Sequence, residues 1–293
     1  MIRGLYTAAS GMMTQQRRHD TVTNNITNIN TPGFKSVTGA VRSFPEMMLS
    51  LQGGDQGAGR TIGRLNTGVF AEESRMLFSQ GDLMQTNQAG DFALLADLGV
   101  QGVVFDASGK GRDAQGNIVY KPEAFFTVRE GNELRFTRDG HFRLNARHEL
   151  TTADGALVLN RNQAPIVLPA NVSIDDIKLD GTGRMYDART NAAIPGADLL
   201  ISRIDNPNQL IRTGNGRFRL DAAGGGQAAA VAWTAGDQQQ IQVQQGYLER
   251  SNVDPTQSMT DMMTAFRAYE ANQKVVQFFD KTLEKTVNEV GRV

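Results

Sequence analysis

The stretch Ser251–Val290 reads SNVDPTQSMTDMMTAFRAYEANQKVVQFFDKTLEKTVNEV, and it decides how the rest of the chain is interpreted. Asp254 is a strong helix N-cap, and Pro255 suits the first helical position because its missing N–H is not needed there. No other proline or glycine occurs before Gly291, which is placed to end a helix. We therefore predict one continuous helix, about 54 Å long at ~1.5 Å per residue.

Apolar residues recur through this predicted helix at alternating steps of four and three residues, the period of a coiled-coil seam. The steps start at Met262 and meet two polar positions, Gln273 and Asp280. The other positions are apolar, namely Phe266, Tyr269, Val276, Leu283, Val287 and Val290. A helix of this length needs a long partner. A seam buried in the chain's own core is the alternative, and the pattern does not exclude it.

The other end of the chain has a similar pattern. Alternating steps of three and four residues from Ile2 reach the apolar residues Leu5, Ala9, Met12 and Ile26. The same steps also meet three polar residues, Gln16, His19 and Thr23. Tyr6 and Met13 lie beside this apolar stripe and widen it. Pro32-Gly33 is expected to end this helix, because proline restricts the residue before it and glycine supplies a turn. We predict that the two terminal helices pair with each other and also offer apolar faces to other subunits.

Four motif regions give the chain a family resemblance. They are TNNITNINTPGFKS at Thr23–Ser36, SQGDLMQTN at Ser79–Asn87, FTRDGHF at Phe136–Phe142, and SNVD at Ser251–Asp254 followed by RAYEANQK at Arg267–Lys274. In this order, and over nearly the whole chain, they resemble the bacterial flagellar rod and hook axial proteins. The opening MIRGLYTAASGM is more similar to the distal-rod type than to the proximal-rod or hook types.

The resemblance implies a structural role. A member of this family is expected to assemble with copies of itself, and with other rod and hook proteins, into the helical tube of the basal-body rod, which carries torque to the hook. It is also expected to leave through the flagellar export apparatus without a cleaved signal peptide and to end in the basal body of the cell envelope.

Asparagines crowd the end of the first helix, where their amides compete with helical hydrogen bonds. An ordinary helix stop is one interpretation, and a junction between the helices and a β-domain is the other, with Phe34 and Lys35 anchoring the chain as it leaves the helix. The junction residues implied by the motifs are Asn24, Asn25, Asn28, Asn30, Thr31, Pro32, Gly33, Phe34, Ser251, Asn252, Val253, Asp254, Arg267, Glu270 and Asn272.

The predicted fold class is α+β, with long N- and C-terminal helices pairing as a coiled coil and a central antiparallel all-β domain. The predicted segments are an N-terminal helix at 1–33, a connector with a flexible Gly-rich linker at 34–60, a β-domain at 61–245 and a C-terminal helix at 246–293. The clearest predicted hairpin is Leu134–Leu144, with Asp139-Gly140 as its two-residue turn. The segment Asp97–Lys121 departs from the family pattern.

Bulk properties argue against several function classes. A net charge of −1 and a pI near 6.3 disfavour nucleic acid and anionic membranes as partners. No apolar run approaches the ~20 residues of a membrane span. The chain has no cysteine, so disulfides and zinc–thiolate sites are excluded.

Chemistry-bearing motifs are weak. His19, His141 and His148 lack metal-ligand spacing, and the carboxylate pairs Asp175-Asp176 and Glu72-Glu73 are adjacent in sequence, which would place their side chains on opposite faces of a strand. We therefore predict no enzymatic activity, no metal and no cofactor. The alternatives that stay open are a proximal-rod or hook-type subunit, an envelope binding protein and a wall-hydrolysing enzyme.

Overall fold

The computed structural model describes residues 2–51, 60–100, 102–106, 109–221, 231–232 and 240–290. The chain forms two compact units. The helix unit comprises Met1–Thr27, Val37–Arg75 and Asp254–Val293, and the β-unit comprises Asn28–Ser36 and Met76–Val253. The Gly-rich part of the predicted linker, residues 52–59, and the predicted helix stop at Gly291 lie outside the described residues.

Two long helices dominate the helix unit. Helix α1 spans Ile2–Thr27, and helix α2 spans Pro255–Lys285 and continues as a π-helical turn at Thr286–Val290. The predicted start of α2 is confirmed, because the Asp254 carboxylate accepts hydrogen bonds from the N–H groups of Thr256 (2.8 Å) and Gln257 (3.1 Å). This cap satisfies two of the backbone donors that every helix N-terminus leaves open.

Helix α1 ends at Thr27, earlier than the predicted stop at Pro32-Gly33. The Asn25 side chain donates to the Val37 carbonyl (2.8 Å) and accepts from the Val37 N–H (2.9 Å), as a paired strand would. The Thr31 N–H then donates to the Asn28 carbonyl in a turn. Asparagine amides that bond elsewhere favour termination, so the helix stops before the proline is reached.

Short strands complete the helix unit. They are β1 Val37–Thr38, β2 Val41–Ser43, β3 Met47–Leu51, β4 Arg60–Leu65 and β5 Val69–Ala71, followed at the unit boundary by β6 Arg75–Met76. Strand β2 pairs with β5 and β3 pairs with β4, both antiparallel.

The position of residues 61–75 differs from the predicted division, in which they begin the β-domain. The Thr7 hydroxyl donates to the Thr67 carbonyl (3.2 Å) and the Thr14 hydroxyl to the Val69 carbonyl (3.4 Å), so this segment packs on α1.

The β-unit contains strands that are short and antiparallel, as predicted. They are β7 Leu83–Gln85, β8 Phe92–Ala96, β9 Lys110–Arg112, β10 Ile118–Tyr120, β11 Glu123–Glu130, β12 Glu133–Thr137, β13 Phe142–Leu144, β14 Leu150–Thr152, β15 Leu157–Val158, β16 Ile177–Leu179, β17 Arg184–Asp187, β18 Ala193–Asp198, β19 Ile201–Ile204, β20 Leu210–Gly214, β21 Arg217–Leu220, β22 Val231–Ala232, β23 Ile241–Gln245 and β24 Tyr247–Glu249. The largest sheet has the order β13-β14-β15-β11-β12-β21-β20, and β19 also pairs with β11 and β22.

One type of turn recurs between these strands. An Asp or Asn side chain accepts hydrogen bonds from the N–H groups two and four residues later, as Asp113, Asn145 and Asp180 do. The third residue after it has a positive φ, 85° at Gly116 and 80° at Gly183. Glycine adopts this conformation without steric cost, so the pattern Asp-x-x-Gly specifies each turn locally.

The predicted hairpin Leu134–Leu144 is wrong. Strand β12 pairs with β11 and β21, whereas β13 pairs with β14. The turn that joins β11 to β12 is Gly131-Asn132, between the paired residues Glu130 and Glu133. Gly140 serves a close approach instead, since a Cβ there would lie 1.7 Å from the Phe92 carbonyl oxygen.

Two apolar clusters form the core of the β-unit. In the larger one, Phe126 and Phe142 meet edge to face with ring centroids 5.3 Å apart. The smaller one is built around Phe125, Phe136 and Phe218. All of these rings are almost completely buried, so the β-unit has an extensive core of its own. Together with the terminal helices, this arrangement confirms the α+β class and the antiparallel sheets.

Candidate functional site

The first candidate site is the contact between the two helices. A Cβ at Gly4 would lie 2.6 Å from the Phe279 ring, and one at Gly11 would lie 3.1 Å from the Asn272 amide. Further along, Arg18 Nη2 lies 3.0 Å from Asp261 Oδ1 in an ion pair. These contacts run in opposite directions along the two helices, so α1 and α2 are antiparallel. The two glycines let the helices approach closely.

The closest contacts of α1, at Gly4 and Gly11, lie one residue before Leu5 and Met12 of the predicted stripe. The buried residues of the helix are Ala8, Gly11, Thr14, Val22 and Asn25, of which Thr14 and Asn25 bond the Val69 and Val37 segments instead of α2. The predicted residues Leu5, Ala9, Met12 and Ile26 are half-buried, Tyr6 and Met13 are exposed, and the Ile2 side chain is outside the described set. Small side chains define the closest approach of two helices, and the apolar stripe predicted from the sequence lies beside them.

A similar shift occurs on α2. Met262, Tyr269, Val276 and Leu283 are half-buried, in agreement with every second predicted position. The intervening contact positions are Ala265, Asn272 and Phe279. The predicted Phe266 and Val287 remain 51% and 70% exposed, although the Phe266 ring lies 6.5 Å from the His19 ring of α1, centroid to centroid. Steps of three and then four residues from Met262 therefore describe the contact face better than steps of four and then three. The Val290 side chain lies outside the described residues.

Large apolar side chains remain exposed on both helices. We call them the outer apolar residues: Tyr6, Met13, Met259, Met263, Phe266, Phe278 and Val287. Ala265 is the one described residue of α2 that is buried. Met259, Met263 and Phe266 are spaced so that they neighbour one another on one face of α2, and contiguous exposed apolar side chains mark interaction surfaces.

The second candidate site, which we call the motif junction, is a buried charge cluster in the β-unit. Lys35 Nζ lies 2.7 Å from Glu249 Oε1, and Arg138 Nε lies 3.0 Å from Glu249 Oε2. Arg138 Nη2 lies 3.7 Å from Glu123 Oε2. Lys35, Arg138 and Glu249 are almost fully removed from solvent, and the four charges balance.

Backbone groups also bond the charged side chains of the junction, although Arg138 Nε, Arg138 Nη2 and Glu249 Oε2 make ion-pair contacts without a hydrogen bond. Lys35 Nζ donates to the Ser79 carbonyl (2.9 Å), and Arg138 Nη1 donates to the Ala124 carbonyl (2.8 Å). The Gly81 N–H donates to Glu249 Oε1 (3.0 Å). Buried ions are tolerated when such hydrogen bonds accompany the ion pair.

The segments on either side of Lys35 and Glu249 are also joined directly. The Gly33 N–H donates to the Glu249 carbonyl (2.8 Å), and the Ser36 N–H donates to Asn252 Oδ1 (2.6 Å). Asn252 Nδ2 donates to the Leu77 carbonyl (2.8 Å). Gly33 has a φ of +66°, and a Cβ there would lie 2.5 Å from the Arg138 backbone, so glycine is required for both reasons.

Stacking covers the outer side of the junction. The Arg212 guanidinium lies over the Phe34 ring, 4.2 Å from its centroid, and Arg212 Nη2 donates to the Lys35 carbonyl (2.8 Å). Phe34 is 4% exposed. Phe34 and Lys35, the residues predicted to anchor the chain after the first helix, are thus both buried at the motif junction.

Burial and charge shift the pKa values in the cluster. Desolvation, reinforced by the positive charge of Arg138, lowers the pKa of Lys35. Desolvation raises the pKa of Glu123 in spite of Arg138 and Lys35. Burial alone would raise the pKa of Glu249, but the charges of Arg138 and Lys35 and the hydrogen bond from Lys35 outweigh it and lower that pKa. Glu249 is therefore the group that the cluster holds ionised.

The structure brings together only part of the predicted junction set. Gly33, Phe34 and Asn252 meet at the cluster, and Val253 beside them is buried. Asn25 belongs to the helix unit and bonds Val37, Asp254 caps α2, and Asn272 faces Gly11. The exposed members are Asn24, Asn30, Arg267 and Glu270, while Asn28, Thr31, Pro32 and Ser251 are half-buried.

Three central residues, Glu249, Arg138 and Glu123, were not among the predicted site residues. Arg138 lies in a quoted motif, and Glu249 lies two residues before another, so a search for charges in and beside the motifs would have found both. Glu123 gives no such signal, because nothing in the sequence indicates that a carboxylate at the start of an apolar strand is buried.

The chemistry-bearing residues considered in the sequence can be located in the described part of the chain. No group of three or more His, Asp or Glu side chains there is arranged to hold a metal ion. One carboxylate of each adjacent pair is in an ion pair, Asp176 with Arg189 (2.7 Å) and Glu72 with Arg42 (2.9 Å). Neither helix, over its described residues, combines the length and the hydropathy that a bilayer span requires.

Three segments of the chain match known protein families. Residues 5–35 match the family described as "Flagella basal body rod protein". Residues 121–186 match "Flagellar hook protein FlgE/F/G D1 domain", and residues 244–289 match "Flagellar basal body rod FlgEFG protein C-terminal". The first and third segments contain most of the two helices and the segments adjoining them.

Whole-length relatives agree with these matches. The chain is 34% identical over 297 residues to the flagellar hook-basal body complex protein FlhO of Bacillus subtilis, with 100% of both chains covered. It is 30% identical over 291 residues to the flagellar basal-body rod protein FlgG of the same organism, covering 98% of this chain and 99% of that one. It is also 30% identical over 288 residues to FlgG of Borreliella burgdorferi, with 97% of each chain covered. The chain therefore belongs to the family of flagellar basal-body rod and hook proteins, which are structural proteins and not enzymes.

Proposed function

We propose that this protein is a subunit of the distal rod, which assembles with copies of itself into a helical tube and transmits torque to the hook. The observation that supports the proposal is the set of outer apolar residues on α1 and α2. Each fully buried side chain of this size contributes about 1.5–3 kcal/mol relative to its exposed state. Copies of the chain packed around the helices would supply that burial. Head-to-tail contacts that do not close produce a helical polymer.

The hairpin of β3 and β4 offers a second surface of the same kind. Met47, Met48 and Ile62 are 59%, 70% and 58% exposed, and strands β3 and β4 pair with each other alone among the described strands. An isolated two-stranded ribbon is marginally stable in water. Contacts with neighbouring subunits would cover its apolar side chains, and we infer that it takes part in assembly.

The proposal gives each predicted segment and each set of predicted site residues a role in the assembly. The coiled-coil pairing of 1–33 with 246–293 would form the inner layer of the tube, and the β-domain would form a stiff outer layer. The proposed assembly residues are those predicted on the two helices, and the motif junction would hold the segments that adjoin them. The proposed partners are copies of this chain, other rod and hook proteins and the export apparatus, and the proposed location is the basal body in the cell envelope.

A different axial position is the second candidate function. The relatives named flagellar hook-basal body complex protein FlhO and FlhP are 34% and 27% identical to this chain, and their names do not specify the distal rod. A proximal-rod or hook-type subunit would use the same helix surfaces.

The test is to express a labelled copy in cells that lack the chain and to isolate basal bodies. We expect restored motility and label along the distal rod. Label in the proximal rod or the hook would favour the second candidate. No incorporation and no motility would contradict both.

A matched pair of variants tests the role of the outer apolar residues. Phe266→Ser/Phe278→Ser is expected to abolish incorporation, because two exposed rings that neighbours would bury are lost. Gln273→Ser/Gln277→Ser changes exposed polar residues of the same helix and is expected to leave incorporation intact. Equal incorporation of both variants would show that these rings are not an assembly surface.

A further inference from the structure

We propose that Glu249 is a positioning residue that holds the segments following α1 and preceding α2 side by side before assembly. The proposal rests on the proposed function, since it concerns how the helices are presented to neighbouring subunits. Lys35 follows the last residue of α1 by eight positions, and Glu249 precedes the first residue of α2 by six. A contact between them therefore restrains both helices close to their points of attachment.

Glu249 joins several segments of the chain through one side chain. Its Oε1 accepts from Lys35 Nζ, which belongs to the segment after α1, and from the Gly81 N–H. Its Oε2 pairs with Arg138, which is anchored in turn on the Ala124 carbonyl of the main sheet. The Glu249 carbonyl accepts from the Gly33 N–H. One carboxylate thus ties both terminal segments to a buried strand.

The arrangement favours specificity over stability. Buried ion pairs add little net free energy compared with apolar groups of similar size, because desolvation offsets the attraction. The β-unit also has its apolar core in other strands, around Phe126 and Phe142. A neutral replacement of the Lys35–Glu249 pair should therefore leave the fold intact while loosening the two segments. Arg138 and Glu123 would remain as a balanced pair.

Positioning of this kind affects assembly through effective concentration. When the segments next to the two helices are held side by side, the helices meet at a high effective concentration, whereas loose segments must close a longer stretch of free chain. This increase in effective concentration requires no additional contact within the helices.

The experiment uses the full chain with the variant Lys35→Met/Glu249→Gln. The chain has no cysteine, so spin labels can be placed by Asn30→Cys and Arg250→Cys, which are both exposed positions in the β-unit. We expect a narrow label distance distribution in the parent and a broad one in the variant. The melting temperature is expected to change by less than about 4 °C, the shift that ~1 kcal/mol causes in a domain of this size. Incorporation into basal bodies is expected to fall about tenfold or more.

The matched control is Thr127→Val/Ser202→Ala. Thr127 and Ser202 share a buried hydrogen bond (2.6 Å) between β11 and β19, outside the junction. The control is expected to change the melting temperature and to leave the distance distribution narrow. Lys35→Met alone serves as a second test variant, because it removes the Lys35–Glu249 ion pair while Glu249 keeps its contact with Arg138.

The width of the spin-label distance distribution tests the proposal. An equally narrow distribution in both junction variants would overturn it, as would a control variant that broadens as much as they do. If neither junction variant melts cooperatively, Glu249 is a stability residue and the positioning role is overturned. Failure of the parent chain to enter basal bodies would instead contradict the proposed function, and the distance measurement on the purified protein would still test the role of Glu249.

Discussion

The helix unit and the β-unit use apolar residues in opposite ways. In the β-unit, Phe92, Phe125, Phe126 and Phe142 are fully or almost fully buried. In the helix unit, rings of similar size at Phe266 and Phe278 are more than half exposed, and the closest helix contacts are made at glycines. The two units therefore differ in how much of their apolar surface they cover by themselves.

This difference indicates which unit supplies most of the folding free energy of the single chain. Burial of apolar area is the main favourable contribution to folding, and long helices depend on packing rather than on propensity. The β-unit has that burial within one chain. The helix unit leaves Phe266 and Phe278 exposed in the single chain, and the proposed assembly would cover them.

The largest expected effect is on the core of the β-unit. Phe126→Ala should lower the free energy of unfolding of the β-unit by about 3–5 kcal/mol, because it leaves a cavity beside Phe142. Denaturant titration followed by a β-sheet signal measures this loss. A loss below about 1 kcal/mol, close to the range of a surface substitution, would remove the contrast between the two units.

A smaller effect is expected at the contact between the helices. Gly11→Leu should destabilise the α1–α2 contact by about 1–3 kcal/mol, since its Cβ would meet Asn272. Faster hydrogen exchange in both helices, with unchanged exchange in the β-unit, is the expected readout. Met13→Leu, at an exposed position on the same helix, is the control. Equal exchange in the two variants would mean that the helices do not depend on this close approach.

The unfolding free energy of the β-unit should depend on pH through Glu123, with an effect between those expected at the helix contact and at the outer apolar residues. Burial raises its folded pKa above the ordinary value of 4.5, so the folded state holds that proton more firmly than the unfolded state. The contribution of Glu123 to stability is then largest below 4.5 and declines as the pH rises through its folded pKa.

Glu123→Gln cannot titrate and removes this decline. Relative to the parent, the variant should gain about 1.4 kcal/mol for each unit by which the folded pKa exceeds 4.5, and the gain should appear as the pH is raised from below 4.5 towards neutral. Denaturant unfolding of both proteins across this range measures the difference. A gain that grows on acidification instead would contradict a raised pKa for Glu123.

The smallest expected effect on the subunit is at the outer apolar residues. Phe278→Ser should change the unfolding free energy of the isolated protein by no more than about 0.5 kcal/mol, because the ring is 67% exposed. Thermal unfolding and circular dichroism measure it. A large loss would show that Phe278 is already packed within the single chain, and the contrast with Phe126 would disappear.

Local signals in the sequence predicted much of this architecture. The Asp254 cap, Pro255 and the absence of later helix breakers placed the start of α2, and Asp-Gly and Gly-Asn turns indicated antiparallel strands. The motif order identified the family. The junction at Gly33, Phe34 and Asn252 was also predicted, because these residues lie inside the motifs that carry the resemblance.

The sequence by itself determined the helix start, the turn chemistry and the family, since each depends on residues that are neighbours along the chain. Tertiary structure alone decided which strand pairs with β12, which face of each helix makes the contact, and that Glu249 lies between Lys35 and Arg138. These outcomes depend on residues that are distant in sequence, as Arg138 and Glu249 are, and on small side chains that permit close approach. Neither spacing nor hydropathy along one segment contains that information, because the partner of each residue is chosen by packing.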